Sequence, residues 1–254
     1  MKRNLAIFLM GMTIATMVLG GCGDKENISK KDGKESENVE DKKTFTVGFD
    51  AEYPPYGYMD ENGEYTGFDL ELAEAVCELE GWELVKKPIN WDSKDMELNS
   101  GAIDCIWNGF TMNGREEEYT FSTPYVDNSQ VIVVAEKSGM KTLEDLQGKS
   151  VGVQAASAAL DLLQSEEEGG QKALADTFSA LNEFADYNTA FTELQAGALD
   201  ALAIDVGVAN YQIKSRGEGY QILEETLNTE QYAIGFKKGK SGIMRCSQCR
   251  PEKI

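Results

Sequence analysis

The sequence predicts an α/β protein of two lobes joined by two crossing strands, mainly because it contains an internal repeat. Residues 98–106 and 194–202 share the pattern Leu-x-x-Gly-Ala, an aliphatic residue, Asp and further apolar residues, at an offset of 96 positions. A second similarity precedes each copy, at residues 47–50 and 151–154. Both similarities occur in the same order at nearly the same offset, which favours two related strand–helix–strand units over a chance similarity.

Each copy of the longer repeat is predicted to be the end of a helix followed by a buried strand. Gly101 and Gly197 follow the last helical turn, where glycine adopts the left-handed conformation that ends helices. The apolar residues after them are few enough for a strand in a covered parallel sheet. Upstream in the first unit, Phe45, Val47 and Phe49 alternate as in a strand.

The first helix of the first unit is predicted from its apolar spacing. The residues that recur at helical intervals are Leu72, Ala75, Val76 and Leu79. Asp69 precedes them and is predicted to be the N-cap, since a short polar side chain accepts a hydrogen bond from the first helical turn.

Two apolar segments are predicted to connect the lobes as a hinge. Residues 130–134 form a strand between the halves, and residues 232–236 form another after the second half. Ligands bind at the carboxyl ends of strands in open α/β sheets. Two such lobes facing each other would therefore enclose a ligand in the cleft between them.

The N-terminal residues predict export and a lipid anchor. Lys2 and Arg3 precede an uncharged apolar run over residues 5–19, and Gly20-Gly21 stand directly before Cys22. Residues 1–21 are typical of a signal peptide with a lipobox, after which Cys22 becomes the lipidated N-terminus. The alternative is an ordinary signal peptide with a chance cysteine. Residues 22–43 are almost entirely polar and predict a flexible tether, so the expected location is outside the cytoplasm, anchored to the membrane.

Composition restricts the classes of function. The chain has 254 residues, a formal net charge of −20 and no histidine. The acidic balance argues against a nucleic-acid partner, which requires a basic surface. No imidazole is available for metal binding or acid–base chemistry, and no cofactor or metal is expected. Cys77 and Cys105 are predicted to be buried small hydrophobes, and a disulfide between them is the alternative. Cys246 and Cys249 form a CxxC pair that alone is weak evidence for metal or redox function.

Five stretches carry a resemblance to a known family. They are residues 47–56, 67–73, 108–111, 121–125 and 151–154, in that order. Over residues 44–238 the chain resembles the amino-acid-binding proteins of ABC importers, the family 3 solute-binding proteins. The resemblance implies a two-lobed, type II periplasmic-binding-protein-like fold, a monomer, a free amino acid as ligand and the transmembrane subunits of an ABC permease as partner. The implied divisions are lobe 1 at 44–129, lobe 2 at 130–228 and a return to lobe 1 at 229–254.

The resemblance also implies which residues hold the two α groups of the ligand. Arg115 would bind the carboxylate, assisted by the helix start at Ser157 and Ala158. Between Thr111 and Arg115 the sequence is one residue shorter than the usual family pattern, and a surface arginine pairing with residues 116–118 is the alternative. The ammonium would be received by Thr111, the Gly109 carbonyl and Asp205.

The ligand side chain is expected to meet a second set of residues, again from the resemblance. Aromatic faces would enclose its aliphatic part and a polar group would contact its tip; the residues are Asp50, Tyr53 and Trp91, with weaker contributions from Asn108 and Gln154. Tyr53 as a brace for the following prolines and Trp91 as a core residue are the structural alternatives.

A second class of function is a secreted enzyme of the same fold, a dehydratase-like protein acting on a cyclic carboxylic acid. Against it, the chain shows no Ser-Lys or Cys-His arrangement and no carboxylate pair at a spacing that suggests acid–base catalysis. A receptor sensor domain would need a transmembrane helix after residue 240, and the sequence shows none.

The C-terminal stretch departs from the resemblance. Residues 237–254 contain six basic residues and one acidic residue, without helical periodicity. Family members continue through an amphipathic helix, so we expect a truncated or frameshifted reading here. In that case the Cys246–Cys249 pair is accidental.

Overall fold

The computed structural model describes residues 43–240, which belong to one compact unit. Its strands are β1 Thr44–Phe49, β2 Glu52–Tyr53, β3 Gly57–Met59, β4 Tyr65–Thr66, β5 Glu83–Pro88, β6 Cys105–Ile106, β7 Tyr119–Phe121, β8 Val126–Ala135, β9 Ser150–Gln154, β10 Ala180–Phe184, β11 Ala201–Asp205, β12 Tyr220–Ile222, β13 Asn228–Tyr232 and β14 Gly235–Lys237. Its α-helices are α1 Phe68–Glu80, α2 Lys94–Ser100, α3 Ala158–Gln164, α4 Lys172–Ala175, α5 Tyr187–Ala196 and α6 Val206–Arg216. Short 3₁₀ helices cover Trp91–Ser93, Glu136–Ser138 and Leu143–Leu146. None of the described helices is both long and apolar enough to cross a membrane.

The first lobe is built on a five-stranded sheet in the order β5-β1-β6-β14-β7. Strand β1 runs parallel to β5 and β6, and β14 runs antiparallel to β6 and β7. Phe45, Val47 and Phe49 of β1 are buried in one apolar cluster with α1, as their alternation predicts. The same cluster contains Cys77 and Cys105.

The second lobe is built on a sheet in the order β10-β9-β11-β8-β12, with β13 also paired to β8. Strand β9 is parallel to β10 and β11, whereas β8 is antiparallel to β11, β12 and β13. Both lobes therefore contain the predicted unit, in which the strand of the short repeat (β1 or β9) pairs in parallel with the strand of the long repeat (β6 or β11). The helices before β6 and β11 end at Gly101 and Gly197 in the left-handed conformation, which confirms both predicted C-caps.

The connection between the sheets differs from the prediction. The chain passes from β7 to β8 through residues 122–125 and returns from β13 to β14 through residues 233–234. The two crossing segments run side by side, because the Tyr125 amide donates to the Tyr232 carbonyl at 3.0 Å and the Ser122 amide donates to the Ile234 carbonyl at 3.0 Å.

The predicted hinge strands were therefore misplaced. Residues 130–134 lie inside the second sheet, where Val131 and Val133 face one apolar cluster and Ile132 and Val134 face another. Their apolar character reflects burial on both faces of the sheet. The predicted strand at 232–236 is interrupted at 233–234, where the chain changes sheets.

The predicted N-cap at Asp69 was also wrong. Helix α1 begins at Phe68 with Gly67 as its cap, and Asp69 lies inside the first turn. Its buried carboxylate accepts hydrogen bonds from the Gly109 amide at 2.5 Å and from the Tyr125 hydroxyl at 2.9 Å. Burial raises the pKa of Asp69 to about 7. The side chain thus ties α1 to the loop after β6 and to a crossing segment instead of to its own backbone.

Candidate functional site

A group of buried polar side chains lies where the two lobes meet. From the predicted set it contains Asp50, Asn108, Thr111, Gln154, Ser157 and Asp205. Three more polar residues, which the sequence did not single out, are Asn128, Gln130 and Glu230. Buried polar groups need hydrogen-bond partners, so these contacts define the site.

The ends of two equivalent strands meet across the cleft. Asp50 follows β1 and Gln154 ends β9, and the two occupy the same position in the short repeat. The Gln154 side-chain amide donates to Asp50 Oδ2 at 2.6 Å, while the Glu52 amide donates to Oδ1 at 2.8 Å. The Asp50 amide donates to Asn108 Oδ1 at 2.9 Å. Burial raises the pKa of Asp50 to about 6.

Two predicted aromatic residues face each other beside these strand ends. The rings of Tyr53 and Trp91 are parallel within 7°, with centroids 6.5 Å apart. Tyr53 also contacts Tyr187 of the second lobe, at 6.1 Å between ring centroids, and Trp91 packs edge-on against Phe110. Both rings are almost fully buried.

Arg115 reaches across to the second lobe. Its guanidinium donates to Asp161 Oδ2 of α3 at 2.6 Å and lies over the Phe110 ring at 5.1 Å. The Arg115 side chain is 11% exposed, whereas that of Asp161 is 61% exposed. The ion pair is therefore formed with the opposite lobe, and the predicted alternative of a surface pair with residues 116–118 is wrong.

Lys94 is a second cation at this junction that sequence reasoning missed. The side chain of Lys94 is buried, with 5% of the residue exposed, and its Nζ donates a hydrogen bond to the Ala156 carbonyl at 3.0 Å. Burial and the neighbouring Arg115 lower the pKa of Lys94. Ala156 has a φ of 53°, a left-handed conformation that is rare for a residue with a side chain.

Ser157 serves as a helix cap. Its Oγ accepts a hydrogen bond from the Leu160 amide at 3.1 Å, which confirms the predicted N-cap of α3. Ala158 follows as the first residue of that helix, half-buried at the edge of the cleft.

Asp205 and Glu230 form a pair of buried carboxylates. The side-chain amides of Asn128 and Gln130 each donate to both Asp205 Oδ1 and Glu230 Oε1, at 2.7–2.8 Å. The Tyr232 hydroxyl donates to Asp205 Oδ1 at 2.6 Å, and the Thr111 hydroxyl donates to Glu230 Oε1 at 2.7 Å. Burial, followed by repulsion from Glu230, raises the pKa of Asp205 to about 6.

A cavity of about 750 Å³ opens beside these groups. Thr111, Arg115 and Ala158 line it together with Lys94 and Glu230. The other predicted site residues do not line this cavity within residues 43–240; they are Asp50, Tyr53, Trp91, Asn108, Gly109, Gln154, Ser157 and Asp205. Among the described residues, no group of acidic or cysteine side chains is arranged to hold a metal ion.

The missed polar residues had a signal in the sequence. Asn128 and Gln130 alternate along β8, and Glu230 and Tyr232 alternate along β13, so each pair projects to one face of the sheet. A polar pair at that spacing within an otherwise buried strand indicates a polar site. The predicted lipidation residue Cys22 and the Cys246–Cys249 pair lie outside the described residues.

Comparison with known proteins identifies relatives over most of the chain. A family model described as bacterial extracellular solute-binding proteins, family 3, matches residues 45–245. The chain is 28% identical over 210 residues to the L-cystine-binding protein TcyJ of Escherichia coli (strain K12), an alignment that covers 82% of this chain and 76% of TcyJ.

Solved structures similar to this chain are also substrate-binding or amino-acid-binding proteins. A substrate-binding protein of an ABC uptake transporter from Streptococcus pneumoniae, with bound histidine, is 33% identical, with a TM-score of 0.75 over 83% of this chain and 88% of that one. An ancestral arginine-binding protein, seen with arginine and with glutamine, is 36% identical, with a TM-score of 0.71 over 80% of this chain and 88% of that one.

Proposed function

The chain belongs to family 3 of the bacterial extracellular solute-binding proteins and has their two-lobed type II fold, and on this premise we propose that it captures a polar amino acid and delivers it to an ABC importer. The relatives are named for binding cystine, histidine and arginine, which favours a binding protein over the dehydratase-like alternative.

The observation that carries the proposal is the 750 Å³ cavity, which Arg115 and Thr111 line from the first lobe and Ala158 lines from the second. A guanidinium binds a carboxylate bidentately, and hydroxyl and carboxylate oxygens accept hydrogen bonds from an ammonium. The Arg115–Asp161 pair does not prevent this, since an ion pair with so exposed a partner contributes little. The ligand carboxylate replaces Asp161 on Arg115, and Thr111, Gly109 and Asp205 receive the ammonium.

The side chain of the ligand extends towards Tyr53 and Trp91. Their parallel rings are 6.5 Å apart, slightly less than two carbon–carbon contact distances of about 3.5–4 Å each. A small widening therefore admits a narrow or planar group between them. Asp50, Asn108 and Gln154, which are joined by hydrogen bonds, are assigned to the polar tip of the ligand, which suits arginine, histidine, glutamine or cystine.

Binding closes the lobes about the crossing segments 122–125 and 233–234. Arg115 and Thr111 belong to the first lobe, whereas Ser157, Ala158 and Asp205 belong to the second. Only a closed arrangement brings all of them to one ligand. A ligand shifts such an equilibrium by its difference in affinity for the two states.

At the cell surface, the protein is a monomer anchored through lipidated Cys22. The lipobox at residues 19–22 supports this. The substitution Cys22→Ser is expected to release the protein from membranes. Detergent partitioning measures the effect, and a variant that still partitions like wild type would show that the anchor is wrong.

A thermal-shift panel of the twenty amino acids, cystine and ornithine tests the binding function. A ligand at 100 times its Kd adds about 2.7 kcal/mol to stability. We expect a clear rise in melting temperature with one or a few polar amino acids, and prephenate-like acids serve as the enzyme-class control. No shift with any amino acid would contradict the proposal.

A further inference from the structure

Among the acidic residues described as lining the cavity, Glu230 is the one that is buried. It is 4% exposed and lines the cavity of about 750 Å³ that Thr111 and Arg115 also line. It lines a second cavity of about 490 Å³ as well. Asp205 lines neither of these cavities in the described part of the chain.

The hydrogen bonds around Glu230 leave acceptors without donors. Both N–H groups of the Asn128 and Gln130 amides are directed to the two carboxylates. Their oxygens, Asn128 Oδ1 and Gln130 Oε1, are buried and have no hydrogen-bond partner within residues 43–240. A buried acceptor without a donor is unfavourable, and such groups in a folded protein call for an explanation.

The negative charges of Asp205 and Glu230 are a second unfavourable feature of this group of side chains. The side-chain hydrogen bonds described for the two carboxylates come from neutral groups, namely Asn128, Gln130, Thr111, Tyr232 and Tyr53. Two buried carboxylates served only by neutral donors repel each other, and a cation restores the balance. A primary ammonium supplies one positive charge and three N–H donors.

We propose that Glu230 is a second carboxylate of the ammonium subsite, which receives the α-ammonium of the ligand together with Thr111, Gly109 and Asp205. This inference rests on the proposed function. It makes Glu230 a determinant of the preference for amino acids over acids of the same shape that lack the ammonium.

The substitution Glu230→Gln tests the inference because it removes the charge and keeps the size. The probes are the amino acid bound most tightly in the panel and its 2-hydroxy analogue, which replaces the ammonium by a neutral hydroxyl. These analogues are argininic acid for arginine, imidazolelactic acid for histidine and dithiodilactic acid for cystine. Calorimetry gives the ratio of the two affinities. We expect Glu230→Gln to reduce this ratio about tenfold or more, since close charge pairs in interfaces are strongly coupled.

The matched control is Glu224→Gln, which makes the same change at an exposed position of the same lobe. It is expected to leave the affinity ratio unchanged. Failure of wild type to bind any amino acid would overturn the proposed function and this inference together. Wild-type binding with an unchanged ratio in Glu230→Gln would overturn this inference alone.

Wild-type protein provides a second test should Glu230→Gln fail to fold. Burial raises the pKa of Asp205 to about 6, and the titratable groups facing it are Glu230 and Tyr232 from β13, Tyr53 from β2, Tyr56 from the turn after β2 and Tyr187 from α5. A bound ammonium favours the ionised carboxylates of Asp205 and Glu230, so the proton that they hold near pH 6 is released. A neutral hydroxyl has no such effect. Calorimetry at pH 6 in two buffers should therefore show more proton release with the amino acid than with its 2-hydroxy analogue. Equal release would overturn the inference, because Asp50 contributes alike with both ligands.

Discussion

The two lobes share the same internal contacts, but different polar residues stand at the ends of their equivalent strands, β1 and β9. In the first lobe, a Cβ at Gly48 of β1 would overlap Ile103, and the Thr46 amide donates to Asp104 at 2.8 Å. In the second lobe, a Cβ at Gly152 of β9 would lie 2.6 Å from Leu199.

The hydrogen bond is repeated as well, since the Ser150 amide donates to Asp200 at 2.8 Å. The short repeat and the long repeat therefore touch each other in both lobes. A glycine lets the aliphatic residue pack on the strand, and the following aspartate binds the start of that strand.

The strand ends diverge where the lobes face each other. Asp50 ends the first unit and Gln154 ends the second, and they share a hydrogen bond. Two aspartates there would repel, whereas an amide donor matches a carboxylate. The repeated part of each unit maintains the lobe, and the differing part forms the cleft.

The largest expected effect comes from removing one charged group from each lobe. Arg115→Ala and Asp205→Ala should each weaken amino acid binding by about 2–5 kcal/mol, because each leaves an opposite charge of the ligand unpaired. Both should also reduce the ligand-induced decrease in radius of gyration measured by small-angle scattering. Glu166→Ala, at an exposed position, is the control. An unchanged radius of gyration in wild type that binds ligand would contradict closure.

The difference between Asp50 and Gln154 can be tested by measuring the free energy of unfolding as a function of pH, because only Asp50 carries a titratable group. The pKa of Asp50 is about 6 in the folded protein against 3.8 for the ordinary value. The folded state therefore binds more protons between these values, and Asp50 lowers stability as pH rises from about 4 to about 6. Asp50→Asn should be more stable than wild type at pH 7 by up to about 3 kcal/mol, with no such gain at pH 4. Urea unfolding of the ligand-free protein measures this, with exposed Glu61→Gln as control; parallel pH curves would count against it.

The glycines of the short repeat, Gly48 and Gly152, should both be important for the stability of the folded protein. Gly48→Ala and Gly152→Ala should each destabilise the protein by about 1–3 kcal/mol through overpacking. Gly152→Ala should have the larger effect, because the added carbon also lies 2.7 Å from Leu202. Urea unfolding tests this, and Ile103→Val should partly rescue Gly48→Ala by removing the overlapping Cδ1 atom. Additive effects in the double variant would argue against the contact.

The smallest effects are expected at the repeated aspartates. Asp104→Ala should destabilise by about 1–2 kcal/mol, since its hydrogen bond to Thr46 is partly buried. Asp200→Ala should lose less than about 1 kcal/mol, because water can replace its exposed bond to Ser150. Equal losses in urea unfolding would show that burial does not distinguish the two lobes.

Much of the fold could be predicted because its signals are local. The left-handed glycines at 101 and 197, the cap at Ser157 and the alternation in β1 each depend on a few neighbouring residues. Because the repeat occurs twice in the chain, the same local signals predicted two lobes. Sequence also indicated the site residues that stand at the ends of β1, β9 and β11, because strands of a parallel sheet end at one edge.

The tertiary structure alone decided the partners across long sequence separations. Asp69 has the spacing of an N-cap but bonds to Gly109 and Tyr125 instead. Arg115 pairs with Asp161 of the other lobe, not with the acidic residues beside it. Glu230 meets Thr111 across 119 positions of sequence. Periodicity and capping describe which face a residue takes, but the partner on that face is set by how the chain crosses between the sheets, and this depends on packing of the whole lobe.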